Sequence, residues 1–542
     1  MFGITYAKEC KLSIILWVWS VTLWGLSVIP WIFLVSVTVA IAGFLYFMYP
    51  AWNSKKKDNN GHPNKPRHEK WFYVWLIGLS TLGGFWALFL PLALNQKFDG
   101  PTADGNQLRL HLLYITGGVL ALTTLGETHR KNTLEKHKND QDHTRQVHAE
   151  RRSRYTTAIE QLSSDKASIR LGGVYTLVGL VDEWLADEKT TPSLEERRKE
   201  GQVIINNLCA YIRSPLPLAE RAEQLDKDYA KDLQNDFDGD IEKFDADKRA
   251  FARDKAALEE ERQVRESIIK EIRERLQDFV APGLWSEFDY DFSNAHFFYP
   301  IVFTNSYFDA SSRFFGATFT QTADFSGAIF TEASFSEATF TRYANFSEAE
   351  FINADFSKAE FTRYASFSGA EFTRYADFSG AIFTEASFSE ATFTRYADFS
   401  KAEFINANFS KAKFTRYANF SEAKFTWNAR LFKAKFTNAS FFGAEFTQNA
   451  NFYGAEFINA SFSEATFEDK PKFEYTLDNK TYKARFSYKV YPENYNFNVS
   501  SKSPYKIETE EQEYNGVKFI IPKGTELFDP DEPSDLEDDD ES

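Results

Sequence analysis

Cysteine is almost absent from this chain of 542 residues: Cys10 and Cys209 are the only two. Two thiols cannot build a disulfide framework, and they fit a reducing compartment. Positive charge is also short, with 62 Lys and Arg against 78 Asp and Glu and a formal net charge of −16. A general nucleic-acid binder wants a basic face, so direct nucleic-acid binding is not expected. The motifs of chemistry are missing as well. Gly172-Gly173 follows no strand and precedes no Gly-Lys-Ser/Thr, so it reads as close helix packing and not as a phosphate loop. His129, His137, His143 and His148 lack the partners and the i, i+4 pairing of a zinc helix and read as a solvated helix face. Asp238-Gly239-Asp240 does not fill a calcium loop with its terminal Glu. No nucleophile–base arrangement is found, so the expectation is a protein with no catalytic residue, no cofactor and no metal, and not an enzyme. The apolar segments hold almost no ionisable residue beyond His111, so no transport path is visible.

What the chain has in excess is phenylalanine, 55 residues. From Phe319 to Phe473 a Phe returns about every five residues with an Ala two places before it, as in Ala323-Asp324-Phe325 and Ala328-Ile329-Phe330. The residue between is usually Asp, Asn, Ser, Glu or Thr, and the residue after is usually Ser or Thr. Such a period fits neither a helix nor a plain strand. Two residues apart on an extended segment, Ala and Phe point to one side and the polar residue to the other. The remaining two residues turn a corner, so four sides close one square coil, and stacked coils pair their backbones at roughly 4.8 Å. Phe325, Phe330, Phe335, Phe340, Phe346, Phe351, Phe356, Phe361 and Phe367 are the expected core columns along the axis.

The spacing of those residues adds a 21-residue superperiod, three steps of five and one of six, with the extra residue in an Arg-Tyr-Ala step. At Phe367, Phe372 and Phe378 that step comes after only two sides, so the inserted edge is expected to jump to the opposite corner. Ala323–Tyr375 is nearly repeated by Ala376–Asn428, blocks of 53 residues that point to duplication. These units resemble the pentapeptide repeat proteins, whose pattern is A(D/N)(L/F)xx. The resemblance implies a right-handed quadrilateral β-helix over roughly a third of the chain. It is weak for function, since one fold hosts many functions.

Taken in order, residues 1–126 read as a transmembrane anchor of about four helices (12–29, 31–49, 71–94 and 108–126), though whether 12–49 spans once or twice stays open. Trp residues lie at plausible interface depths. Lys and Arg crowd the loop between 50 and 70 and the segment after 127, whereas the loop between 94 and 108 is poor in them. The charged segments are therefore expected on the cytoplasmic side. Residues 127–217 read as a cytoplasmic helical module, with Ala158-Ile159-Glu160-Gln161-Leu162, Ile169-Arg170-Leu171-Gly172-Gly173-Val174-Tyr175 and Ala210-Tyr211-Ile212-Arg213. This run is similar to the segment that links transmembrane helices to pentapeptide repeats in bacterial membrane proteins, which implies a multi-pass protein of a bacterial inner (cell) membrane. Residues 218–281 read as a long charged helix or helical hairpin broken at Asp238-Gly239-Asp240, with coiled-coil self-association as an open alternative. The β-helix is expected over 282–473, opened by a ragged capping end. A β-rich cap follows over 474–528, then a disordered acidic tail over 529–542.

The most distinctive surface feature is the set of Arg-Tyr corners: Arg342 and Tyr343, Arg363 and Tyr364, Arg374 and Tyr375, Arg395 and Tyr396, Arg416 and Tyr417. Arg and Tyr are the residues interfaces favour. The bland alternative is that each Tyr packs on its neighbour while Arg pairs with Glu. The expected function is a non-enzymatic membrane-anchored scaffold, with the bilayer and an unidentified protein as partners and homo-oligomerisation through 218–281 left open. The family resemblance implies an alternative, a DNA mimic acting on type II topoisomerases. That role needs a strongly acidic rod, and Phe319–Phe473 carries only 19 Asp and Glu against 15 Lys and Arg.

Overall fold

The computed structural model describes residues 68–94, 104–277, 282–477 and 480–532, together with Val35, Thr38, Val39 and Ala42. The spans expected over 12–29 and 31–49 therefore lie outside the described residues, apart from those four positions. The chain divides into two compact units, Met1–Gln146 and Val147–Ser542.

In the first unit, helix α1 (His68–Ala93) meets the opening turns of helix α2 (Asp104–Leu162). The pair is antiparallel: Gly83 lies against Thr116, and Arg109 donates to the Leu88 carbonyl at 3.4 Å. A Cβ on Gly83 would fall 1.8 Å from Thr116 Cγ2, so a glycine is what lets the helices approach. Gly83 and Ala87, four residues apart and buried, make the small-residue seam that helices use in lipid. Among the described residues one helix is long and apolar enough to cross a membrane, within Gly105–Leu162. Helix α1 covers most of the span expected over 71–94, and Leu76–Pro91 within it is a shorter apolar stretch. α2 runs unbroken through Gly126 for 59 residues, because a lone glycine costs only about 1 kcal/mol in a helix interior.

The second unit begins with the end of α2 and three further helices, α3 (Ala167–Ala186), α4 (Leu194–Arg213) and α5 (Ile241–Leu276). Short helical turns over Pro217–Leu225 and Lys231–Phe237 precede α5. The chain reverses at Asp238 and Gly239, both at positive φ, and the Asp240 carboxylate accepts from the Lys243 N–H at 3.1 Å to cap α5. Val174, Leu177 and Val181 of α3, Ile205 and Leu208 of α4, and Ile268 and Ile272 of α5 are all buried in one core. That core continues into Trp285, Phe288 and Phe292 at the first coil. The apolar stripe of α5 from Leu258 to Leu276 is thus covered within the chain, so this part of the helix is not the free seam that a coiled coil uses. Arg265, 2% exposed, reaches the carbonyls of Ile212 (2.7 Å) and Ser214 (2.9 Å) at the end of α4 and pairs with Glu261. A cation there satisfies the carbonyls a helix leaves unpaired and the negative end of its dipole.

From Tyr290 onward the chain forms a β-solenoid of about eight turns, in which each coil contributes two sides to a 14-stranded sheet and two to a 13-stranded sheet. Every pairing between coils is parallel: Phe330 opposes Phe351 and Phe351 opposes Phe372 on one sheet, and Phe340 opposes Phe361 on the other. The Phe rings fill the space between the sheets as continuous stacks; Phe356 lies 4.9 Å from Phe335 and 5.0 Å from Phe378 with the rings within 4° of parallel. At the corners a Phe carbonyl accepts from the Ala three residues on, as Phe325 does from Ala328 at 3.1 Å. Asp and Asn residues before these corners accept from the Ser N–H two places later, for example Asp355 from Ser357 at 2.9 Å and Asn345 from Ser347 at 3.1 Å. Glu and Thr occupy the sides that lack such a corner.

The coils do not stop at Phe473. Strands 485–487, 495–496 and 526–528 extend the 14-stranded sheet, with Phe486 stacked on Phe457 at 5.2 Å and Phe497 on Phe462 at 5.9 Å. Two antiparallel hairpins, 474–477 with 480–483 and 509–514 with 517–522, are inserted into this continuation. Asp529 and Asp531 are held by Lys489, the first at 2.6 Å, so the acidic tail begins as ordered chain, and 533–542 lies outside the described residues.

Candidate protein-interaction surface

An inserted Arg-Tyr residue makes a six-residue side pair with five-residue neighbours, and the ladder absorbs the mismatch as a bulge. Register shifts occur between Phe361 and Tyr364 and between Phe351 and Asn353, whose partner is Tyr375. Where inserted sides are consecutive, no shift is needed and the tyrosines come into line. Tyr375 opposes Tyr396 and Tyr396 opposes Tyr417 on the 14-stranded sheet. Their rings stack at 5.2 and 5.3 Å. Tyr343 and Tyr364 stack at 5.7 Å on the 13-stranded sheet. The ten candidate residues therefore form two ladders on opposite sides of the Phe core, and the jump comes between Tyr364 and Tyr375.

Burial of one ring face pushes the phenols of Tyr343, Tyr375 and Tyr396 above their ordinary value, and the carboxylates of Asp377 and Asp398 add to this for the latter two. Tyr375 and Tyr396 donate their hydroxyls to Asp377 and Asp398 at 3.3 Å. Threonines beside the ladder donate to carbonyls of the preceding coil, as Thr373 does to Phe351 at 3.3 Å. The arginines behave differently. Arg342 lies 3.9 Å from Glu223, whereas Arg363, Arg374, Arg395 and Arg416 are exposed and form no ion pair among the described residues. Half of the bland alternative is realised, the stacking of tyrosines. The pairing of arginines with glutamates is seen at Arg342 alone of the five, among the described residues.

Lys413 and Lys435 belong to the same face and went unnoticed in the repeat pattern. They stand opposite one another in a column that runs Glu350, Glu371, Thr392, Lys413, Lys435, Glu456 along the 14-stranded sheet. The signal that reveals them is charge counted coil by coil. Residues 319–394 hold eleven acids and four bases, 395–435 three acids and nine bases, and 436–473 five acids and two bases. Within the basic belt, Lys401, Lys411 and Lys424 are tied to Glu422 (3.9 Å), Glu390 (3.5 Å) and Glu403 (2.8 Å), on the corners and the opposite sheet. Arg395, Lys413 and Arg416 are left uncompensated on the 14-stranded face.

No cluster of three metal-ligating side chains occurs among the described residues. Two family models, both described as pentapeptide repeats, match the chain, one over 335–382 and 378–424 and the other over 312–342 and 429–469. No curated protein and no solved structure matches it. The matched repeats coincide with the coils that carry both ladders, and the segment from 312 to 469 is a pentapeptide-repeat β-helix.

Proposed function

We propose that this chain is a non-enzymatic, membrane-anchored scaffold whose solenoid presents a protein-binding face on the cytoplasmic side of a cell membrane. The observation that carries the anchor is an uncovered apolar surface on the first part of α2. Leu110, Leu113, Tyr114, Ile115, Val119, Leu122 and Leu125 are exposed, between 42% and 72%. A patch of that kind marks a membrane or a partner surface, and its length along one helix suits a bilayer. The charged run that follows from Arg130 to Arg154 suits the cytoplasmic side. The ladders of Arg and Tyr support the binding role, since these residues anchor interfaces and here sit on a rigid, flat face. A duplex-DNA mimic is disfavoured by the charge pattern, because DNA carries one charge per roughly 1.7 Å without interruption and the coils over 395–435 are net positive.

The test is a cross-linked affinity pull-down of the intact chain from its own membranes, beside a chain starting at Val147. A single abundant protein captured by the intact chain alone is the expected result. Recovery of both chains from the soluble fraction after carbonate washing, with identical partners, would overturn the anchor. Topoisomerase subunits captured by both would favour the mimic.

A further inference from the structure

Resting on the reading of the solenoid as a protein-binding rod, we propose that its 14-stranded face between Glu371 and Lys435 is a docking surface for an extended acidic peptide segment of a partner protein. Lys413 and Arg416 stand on one strand of that face and Arg395 in the short break between strands 392–393 and 396–398 of the coil before, with Arg374 one coil earlier still and Lys435 one coil after. Adjacent strands bring such cations about 4.8 Å apart along the axis, and Lys413 and Arg416 are separated by roughly 10 Å along one strand. An extended peptide shows acidic side chains on one face about every 6.6 Å, between the roughly 4.8 Å and 10 Å steps of this lattice, and the long Arg and Lys side chains span the difference. Arginine forks grip carboxylates with two parallel bonds, which gives the contact direction as well as charge.

The acids on this face do not cancel it. Asp377 and Asp398 accept from the N–H groups of Ser379 and Ser400 and from the tyrosine hydroxyls beyond the arginines. Glu371 lies at the border, and Lys435 is shared with Glu456 at 3.8 Å. Among the described residues, the cations of this face without an ion pair are Arg374, Arg395, Lys413 and Arg416, the last three within the basic belt. Stacked tyrosines hold their backbone in a fixed pleat, so little ordering remains to be done on binding.

Size selects a peptide over larger polyanions. Screening confines each charge to about 8 Å at physiological salt, so a short acidic segment senses only the belt beneath it. A nucleic-acid duplex or a bilayer extends past the belt, onto coils with eleven acids against four bases on one side and five against two on the other. Like charges there oppose the longer polyanion.

Fluorescence anisotropy on the intact, detergent-solubilised chain tests this, with a labelled peptide carrying glutamate at alternate positions as the probe. Binding is expected, weakening as salt rises. It should fall about tenfold or more in the triple variant Arg395→Gln, Lys413→Gln, Arg416→Gln, the loss of one or more charge-assisted contacts. It should be unchanged in Lys424→Gln, on the opposite sheet. Equal binding by both variants, no binding by the wild type, or stronger binding of single-stranded oligonucleotide or anionic vesicles would overturn the proposal. Binding seen only after removal of 533–542, which holds six acids, would assign the face to the chain's own end and overturn the partner. Partner capture that survives in the pull-down while the peptide fails would leave the scaffold reading standing and sink this one.

Discussion

Nine glutamates and lysines of the coils, Glu337 and Glu348 among them, hold the left-handed backbone conformation that glycine fills at Gly327 and Gly369. The corner demands it, since the Ala N–H must fold back onto the Phe carbonyl. A side chain there carries a backbone penalty of roughly 1 kcal/mol, and neighbouring corners stack these positions into columns. Lys358 and Glu337, 3.2 Å apart, recover a few tenths of that at most, because exposed ion pairs contribute little. Glu348→Gly should accordingly raise stability by about 0.5–1 kcal/mol and Gly369→Ala should lower it by a similar amount, read as opposite shifts of the urea midpoint. A Cβ at Gly369 would meet Glu348 Cγ at an ordinary 3.5 Å, so the backbone alone sets the effect. Core positions obey a larger scale. Phe356 is wholly buried among six rings, and Phe356→Ala should cost about 3–5 kcal/mol by calorimetry or denaturant titration. Tyr396→Ala, on the surface ladder, should cost about 1 kcal/mol. Comparable losses at both positions would mean that the surface ladder helps hold the solenoid together.

Among elements, the end of α2 is fastened to α3 by an acid-sensitive clasp. Arg151 pairs with Asp187 at 2.7 Å and lies 4.6 Å over the Trp184 ring. Burial alone would raise the Asp187 carboxyl, but bonds from Thr190 and Arg151 outweigh it and hold it well below the ordinary carboxylate range. A depressed carboxyl contributes stability that is complete above about pH 3.9 and is lost as pH falls below that value toward the folded one. Trp184 fluorescence, taken as the difference from Trp184→Phe, should change in that acid window, and Asp187→Asn should release the ring at neutral pH. An identical acid transition in Asp187→Asn would remove the clasp from the account. The elements also show what a sequence can and cannot reveal. The Ala-x-Phe beat exposes its own fold because every coil repeats one local rule, and Asp238-Gly239-Asp240 announces the reversal before α5. The fusion of α5 with the first coil was not legible, since it depends on Ile268 and Ile272 meeting residues distant in sequence. Lys413 and Lys435 were hidden in plain repeat positions, visible only once coils were laid side by side.

At the scale of the whole molecule, a solenoid has two open ends, and each would expose unpaired strand edges and stacked rings. The second unit closes both within one core. At the start, Trp285 donates to Asp182 of α3 at 2.9 Å and Arg213 of α4 pairs with Asp291 at 2.6 Å. At the finish, strand 526–528 lies on 485–487, and Tyr495 donates to the Ser487 carbonyl at 2.8 Å beneath it. The hairpins inserted there lead the chain away and back, so the final strand is reached by contacts distant in sequence. Truncation after Phe473 would uncover Phe457 and Phe462 and leave the strand at Glu456–Phe457 as a bare edge. Parallel edges of this kind add further strands, so the truncated chain should form concentration-dependent oligomers by light scattering while keeping the far-ultraviolet signal of its coils. Replacing Phe486 and Phe497 together by Ser in the full chain should give a milder version, because the backbone pairing stays while the stacked rings go. A truncated chain that stays monomeric at high concentration would show that the edge is already protected by its own corners, and the region after Phe473 would then owe its presence to binding and not to closure.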